Sequence, residues 1–504
     1  MLLVNNIKLS VDKDESELKK LLEKRFRHKI SSYRIRKRSL DARKQPFYVY
    51  SLIVEIDNEK RYLSKDVSLY EQEDLSPECK KRNSKIIVAG YGPSGIFAAY
   101  RLMEAGFEVE VFEKGKRIIE RTKDVERFFK DGILNKDSNV QFGEGGAGTF
   151  SDAKLTTRIK DKYIDYILDI FVKHGADPSI RYENHAHVGT DRIREVIASI
   201  TDEMIAKGVR FHFEEPMQEI LLNEERKIIG IRTDQGEYPC DKLAIGLGHS
   251  AYESVVMLKE KGVTIEKKDI SIGFRVEHPQ DFINERQTSS KIEAANEYFL
   301  RYKGEKGVYS FCMCPGGMVI PAMSDEETIV TNGMSYAARD SGTANAAILI
   351  QVFKEEFNDG YQYLHDLEKK AYAASSSYKA LSQNISDFVK GEVHPLKFES
   401  TYPLGTNLYD FNQFFKMEDL KILKDAFKDF DQKIPGFIEQ GIMVGPETRS
   451  SCPVRILRDE TFQSVNTKGL FPMGEGAGYG GGIMSCALDG IRIANEVIKE
   501  DGEI

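Results

Sequence analysis

Residues 85–113, KIIVAGYGPSGIFAAYRLMEAGFEVEVFE, restrict the folds open to this chain more than any other stretch. Ile86, Ile87, Val88 and Ala89 are an apolar run without polar alternation, the pattern of a strand buried on both faces of a parallel sheet. The run ends in Gly90, Gly92 and Gly95 at G-x-G-x-x-G spacing, with Pro93 and Ser94 inside it. The first glycine permits a tight turn, the second a close backbone approach to a pyrophosphate, and the third close packing of helix on strand. Ile96, Ala99, Leu102 and Met103 then recur at helical spacing up to Gly106, a residue suited to a left-handed cap. A second strand over residues 108–112 delivers Glu113, expected to accept both hydrogen bonds of an adenosine ribose, followed by Lys114. Glycine spacing alone is weak, but strand, turn, helix, strand and acid in this order predict a dinucleotide site. The acid favours FAD or NAD over NADP.

At 504 residues, two or three domains are expected. A composition of 41% hydrophobic and 30% charged residues reads as globular, and a net charge of −8 argues against a surface that coats nucleic acid or acidic membrane. Residues 24–44 dissent, with ten Lys or Arg against Asp41 alone. Their plainer reading is a solvated face; the sharper one is a handle for an anionic partner such as RNA. MLLV is followed by Asn5, Asn6 and Lys8, too short an apolar start for a secretory signal, and no run approaches a membrane-spanning length. Six cysteines without pattern exclude a disulfide scaffold, so a cytoplasmic protein is expected.

Residues 1–80 read as a small α+β module, with strands over 2–9 and 46–56, a helix over 15–26, and a linker at 68–84. Residues 84–250 read as the first part of the nucleotide-binding domain. They include a glycine loop, GEGGAGTFSDAKL (143–155), a helix from Thr190, a strand over 209–213, an antiparallel meander, and a returning buried strand ending at Gly246 and Gly248. Such a glycine loop presents backbone N–H groups to an anion or a flavin edge. A single βαβ unit with an interposed meander fits an FAD domain better than an NAD domain, which repeats the unit. Residues 251–440 lack a second fingerprint and read as an inserted α+β substrate domain, with strands near 271–278, 307–314 and 328–336 and helices near 344–357, 361–374 and 416–427. Residues 441–504 return to the FAD domain, where six glycines at 474–482 precede a helix, a site for anionic density. The expected class is therefore α/β: a Rossmann-like FAD-binding domain interrupted by an α+β domain and preceded by a small α+β domain.

The motifs together resemble the bacterial FAD-dependent dehydrogenases, also called NAD(P)/FAD-dependent oxidoreductases. The resemblance runs through SLDARK (39–44), GYGPSG (90–95), GEGGAGTFSD (143–152), HVGTD (187–191) and GLGHSAYE (246–253). It continues through GFRVEHPQ (273–280), YSFCMCPGG (309–317), TNGMSYAARD (331–340), GPETRSSCPVRI (445–456) and GEGAGYGGGIMSCALDG (474–490). It implies a bound FAD, with Gly90, Gly92, Gly95 and Glu113 at adenosine and pyrophosphate and the backbone near Met217 at the adenine. Gly145, Gly146, Thr149, Glu475, Gly481 and Gly482 are implied at ribitol and isoalloxazine, and Gly248, Gly474 and Ile483 complete the set. The chain departs from the pattern at Ala153, where the family has glycine, and at Tyr252-Glu253, in place of Arg-Asp.

For chemistry, a flavin needs an oriented donor and a base for the accompanying proton. His249 and His278 are the candidate bases. Arg275, with Arg339, Arg449 and Arg455, is a candidate anion binder, since the guanidinium fork matches carboxylate or phosphate. Cys312-Met-Cys314 invites a redox reading, although one intervening residue is tighter than in flavin-linked disulfide reductases and inert burial is the commoner fate of cysteine. No cluster shows metal-ligand spacing. The expected function is an FAD-dependent oxidoreductase passing hydride between a small substrate or transiently bound NAD(P)H and the flavin. The alternatives are an RNA-associated flavoprotein and a flavin-dependent monooxygenase.

Overall fold

The computed structural model describes residues 1–41, 46–183, 186–287 and 296–502. At the N-terminus, strand Leu2–Ser10 lies between Phe47–Glu55 and Val67–Leu69, and helix Glu17–Phe26 packs Leu18, Leu22 and Phe26 into the core that Leu2, Val4, Leu52 and Val54 supply. Most of the basic run is not a connection. Ser32–Asp41 is an edge strand paired antiparallel with Phe47–Glu55, and lysine and arginine on an edge discourage pairing with other chains. Its cations also dock the module. Arg36 meets Asp165 at 2.7 Å, and Arg38 meets Glu15 at 2.9 Å and Glu183 at 2.5 Å. Residues 42–44 of the basic run and of SLDARK lie outside the described residues. The expected linker is pinned as well: Arg101 Nη1 donates to Leu75 O at 2.5 Å, and buried Arg82 pairs with Asp501 at 3.0 Å.

The layer that carries the glycine fingerprint is a five-stranded parallel sheet in the order Leu470–Pro472, Lys242–Ile245, Lys85–Ala89, Glu108–Glu113, Arg210–Phe213. Uninterrupted apolar strands demand cover on both faces. One cover is the antiparallel meander Glu219–Leu222, Ile228–Arg232, Glu237–Pro239, whose Ile220 and Ile231 meet Ile87 and Leu243 in one core. The other is a pair of helices, Pro93–Glu104 and Ile483–Gly502, in such close approach that a Cβ on Gly490 would stand 2.2 Å from Ser94 O.

A second, seven-stranded sheet runs Arg301–Lys303, Gly307–Cys314, Thr343–Val352, Ile270–Pro279, Ile442–Glu447, Ala380–Asn384, Thr406–Leu408. Two expectations are corrected here. Residues 344–357, expected as a helix, are mainly the strand Thr343–Val352. Its Ala-Ala-Ile-Leu-Ile run is buried on both faces between two neighbours, and an apolar run of that kind carries no period to separate helix from strand. The return to the parallel sheet also falls later than residue 441, because Ile442–Glu447 pairs with Ile270–Pro279 and Ala380–Asn384. Helix Met417–Lys433 covers this sheet, packing Leu423, Phe427 and Phe430 into the core around Phe274. Among the described residues, no helix is long and apolar enough to cross a membrane.

Candidate functional site

A cleft opens beyond the carboxyl ends of the parallel strands and is walled on its far side by the second sheet. Open α/β sheets bind ligands at that place. Gly90 turns the chain at φ +93°, and a Cβ there would stand 2.4 Å from Gly246 O. Gly92 is the N-cap of the twelve-residue helix Pro93–Glu104 and has no side-chain cap, so the first helical N–H groups face the cleft. A Cβ on Gly92 would meet only Gly146 Cα, at 3.8 Å, so it would fill cleft volume rather than clash. Gly482, at φ +108° with nothing within 4 Å of such a Cβ, leads into Ile483–Gly502, the second helix to begin at this cleft. Two partial positive helix ends facing a glycine-lined cradle suit a bound pyrophosphate and an electron-rich ring edge. The residues present fit FAD.

Glu113 is buried at the end of its strand, and its carboxylate is already engaged. Oε2 accepts from Tyr91 N, and Oε1 accepts from Gly115 N and Gly143 N, each at 2.9 Å. A carboxylate offers about four lone-pair sites, so capacity remains for one ribose hydroxyl, not the expected two. Glu113 thus ties the fingerprint turn to the glycine loop. The residue that shapes this loop is Arg121, which sequence reading passed over. Fully buried, it donates to Asn139 O (2.8 Å), Val140 O (3.0 Å), Gly143 O (3.2 Å), Glu144 O (2.6 Å) and Thr149 Oγ1 (2.7 Å). One signal was available: Ile118, Arg121, Val125 and Phe128 share the buried stripe of helix Ile118–Asp131, where an arginine needs a polar purpose. At the C-terminal loop, Asp489 takes a similar part by accepting from Gly474 N at 2.8 Å while pairing with Arg458 at 2.6 Å.

Of the expected cofactor residues, Gly90, Gly92, Pro93, Ser94, Glu113, Lys114, Gly146, Met217, Gly248, Glu475, Gly482 and Ile483 line the cleft. The others do not line it. Gly95 touches Gly90 O, where a Cβ would stand at 2.0 Å, and Gly474 is packed on Ser94. Thr149 spends its hydroxyl on Gly146 O (2.6 Å) and Arg121, and Gly145 would clash with the Thr149 methyl if it bore a Cβ. Gly481 donates to Ser485 Oγ at 3.1 Å on the exposed side of the loop.

The candidate bases separate. His249 lines the cleft, with Nδ1 3.8 Å from Glu475 Oε2 and a buried Nε2 that has no partner among the described residues. His278 is corrected to a structural residue. Fully buried between Phe282 and Phe437, it bonds Phe437 O at 2.8 Å, and burial holds its imidazole down at about 4. Arg275 lies behind the cleft wall, fully buried, paired with Glu447 at 2.7 Å and bonded to Cys312 O (2.7 Å) and Asn332 Oδ1 (2.9 Å). The other arginines are also engaged, although Arg449 lines the cleft and Arg455 is exposed. Arg339 grips Asp152 (2.5 Å), Arg449 grips Glu368 (2.8 Å) and Asp325 (3.0 Å), and Arg455 donates to Gly478 O at 3.3 Å beside Tyr479. Asp387, Glu392 and His394 bring ligand-type atoms within 4.8 Å of one another, but Asp387 already bonds Asn384 and His394.

Residues 269–450 match the family described as "FAD-dependent protein, C-terminal domain-like", and residues 1–55 match a domain of unknown function. A Clostridium beijerinckii protein described as uncharacterized is 40% identical over 527 aligned positions, covering 99% of this chain and 98% of its own. Among solved structures, the FAD-complexed glycerol-3-phosphate dehydrogenase from Bacillus halodurans is 11% identical, over 84% of this chain and 66% of its own, at a TM-score of 0.36. The L-amino acid deaminase from Proteus vulgaris is 13% identical, over 86% and 96%, at a TM-score of 0.35. Glycine oxidase from Bacillus cereus is 11% identical, over 83% and 95%, at 0.32.

Proposed function

The chain belongs to the family of that Clostridium beijerinckii protein, and on that premise we propose that it is an FAD-dependent oxidoreductase working on a small donor or on NAD(P)H. The observation that carries the reading is the convergence of two helix N-termini, Gly92 and Gly482, with Glu113 on one cleft. When bound, FAD supplies two-electron, hydride-accepting chemistry. The backbone N–H groups of Gly92 and Ser94 hold the pyrophosphate, and the free lone pair of Glu113 orients the ribose. The N-terminus of Ile483–Gly502 favours negative charge at the ring edge. His249 holds the donor's proton at Nε2, its one ring nitrogen buried and without a partner among the described residues. Phe311 and Phe142 give the same cleft an apolar wall.

Anaerobic mixing of the FAD-loaded protein with NADH or NADPH tests the donor. Bleaching of the flavin band by either supports a nicotinamide-linked enzyme, and bleaching only by an organic donor supports the small-substrate form. A flavin inert to NADH, NADPH, amino acids and hydroxy acids alike contradicts the reading.

A further inference from the structure

Strand Gly307–Cys314 breaks its register with Thr343–Val352 between Phe311 and Cys314. Within the break Cys312 adopts φ +43°, a left-handed conformation rare for a side-chain-bearing residue. The turn puts Cys312, half-buried, into the cleft wall, with Cys314 buried beneath it. Neighbouring cations hold it there. Arg275 Nη1 donates to Cys312 O at 2.7 Å, and Lys154 Nζ donates to Met313 O. Arg275 is itself fixed by Glu447 and Asn332. Cys314 Sγ donates to Cys312 O at 3.3 Å, so the second thiol is folded back under the first.

This surrounding separates the two sulfurs. The neighbouring Cys314 thiol, with the Arg275 and Lys154 charges, holds the Cys312 thiol below the ordinary range, while Cys312 and burial push Cys314 up. The buried Tyr298 hydroxyl and Asn345 amide have no partner among the described residues, and Tyr298 feels both Arg275 and Cys314. An inert core thiol requires no strained turn, no pair of cations and no unpaired polar shell. Such features gather at functional sites.

We propose that Cys312 and Cys314 are a redox-active dithiol, with Cys312 the thiolate that attacks a low-molecular-weight disulfide in the cleft. The Cys312 Sγ–S bond forms, the substrate S–S bond breaks, and one thiolate leaves and takes a proton from water. Cys314 then loses its proton to solvent and attacks Cys312 Sγ, and the second thiolate leaves. The protein pair is oxidised by two electrons and the disulfide is reduced by two. Arg275 acts as a positioning residue. The proposal deepens the flavin reading by naming a class of acceptor. Only the return of two electrons and two protons to the protein disulfide, with oxidation of reduced flavin, rests on that reading.

The test uses the full-length reduced protein. Iodoacetamide labelling across a pH series, followed by mass spectrometry, compares Cys312 with the exposed Cys79 in the same chain. Cys312 is expected to react about tenfold faster than Cys79 near pH ~6.5, where an ordinary thiol is mostly protonated. Oxidised glutathione is then expected to leave a Cys312–Cys314 disulfide, and Cys314→Ser to stop at a glutathione adduct on Cys312. Should that variant fail to fold, the wild-type results decide. Cys79 outrunning Cys312 at every pH, or glutathione captured elsewhere while this pair stays reduced, overturns the proposal. Exchange without any flavin absorbance would overturn the function proposed above and leave this one standing.

Discussion

Replacing Glu113 with Gln removes a charge and turns one acceptor into a donor without changing size. In the native fold three backbone N–H groups, of Tyr91, Gly115 and Gly143, converge on this carboxylate at 2.9 Å. The best amide orientation keeps an oxygen toward Gly115 and Gly143 and turns NH2 toward Tyr91 N. One buried N–H then loses its acceptor, at about 1–3 kcal/mol, and two charge-assisted bonds weaken to neutral ones, at roughly half to one each. The expected total is about 2–5 kcal/mol, felt where the fingerprint turn meets the glycine loop. Because that junction frames the cleft, FAD affinity is expected to fall by about 10–100-fold. Urea unfolding of the apoprotein by circular dichroism, with FAD titration of the same variant, reads both effects; the chain has no tryptophan to serve as a probe. A Glu113→Gln protein that unfolds at the wild-type urea concentration and binds FAD within about twofold would refute the reasoning.

Arg121→Met takes the side-chain donor from three buried loop carbonyls, those of Asn139, Val140 and Glu144, an expected loss of about 3–5 kcal/mol; loss of FAD binding that Arg121→Lys only partly restores is the readout in titration. His278, with its imidazole held at about 4 against 6.5 when free, binds its proton more readily unfolded. Stability is therefore full above about pH 6.5 and falls by up to about 3 kcal/mol toward pH 4, and His278→Phe is expected to flatten that slope by one proton in pH-dependent urea melts. Gly90→Ala forces a methyl to 2.4 Å from Gly246 O at φ +93°, and the expected result is protein without retained flavin.

Residues 85–113 were legible because each signal is local: a strand, a turn and an acid close in sequence. Glu113 was legible as an acid at the right place, but its three backbone partners come from loops that only the fold brings together. The two histidines looked alike in sequence. What separates them is that His278 points into a phenylalanine core and His249 into the cleft, a fact of tertiary burial. Residues 344–352 were misread because a doubly buried strand carries no period. The strand over 32–41 was missed because its charges, read as solvated, partly dock onto Asp165 and Glu183 from a different layer. Cys312 and Cys314 were visible as a pair, whereas the register break that turns one of them into the cleft leaves no mark in composition.

The most direct test of the central claim is an absorbance spectrum of the purified protein after saturation with FAD and removal of the excess. The account predicts one tightly held flavin per chain, with a shifted and structured visible band, and its loss in the Gly90→Ala protein. A protein that releases all flavin on desalting, with wild type and Gly90→Ala indistinguishable, would contradict it.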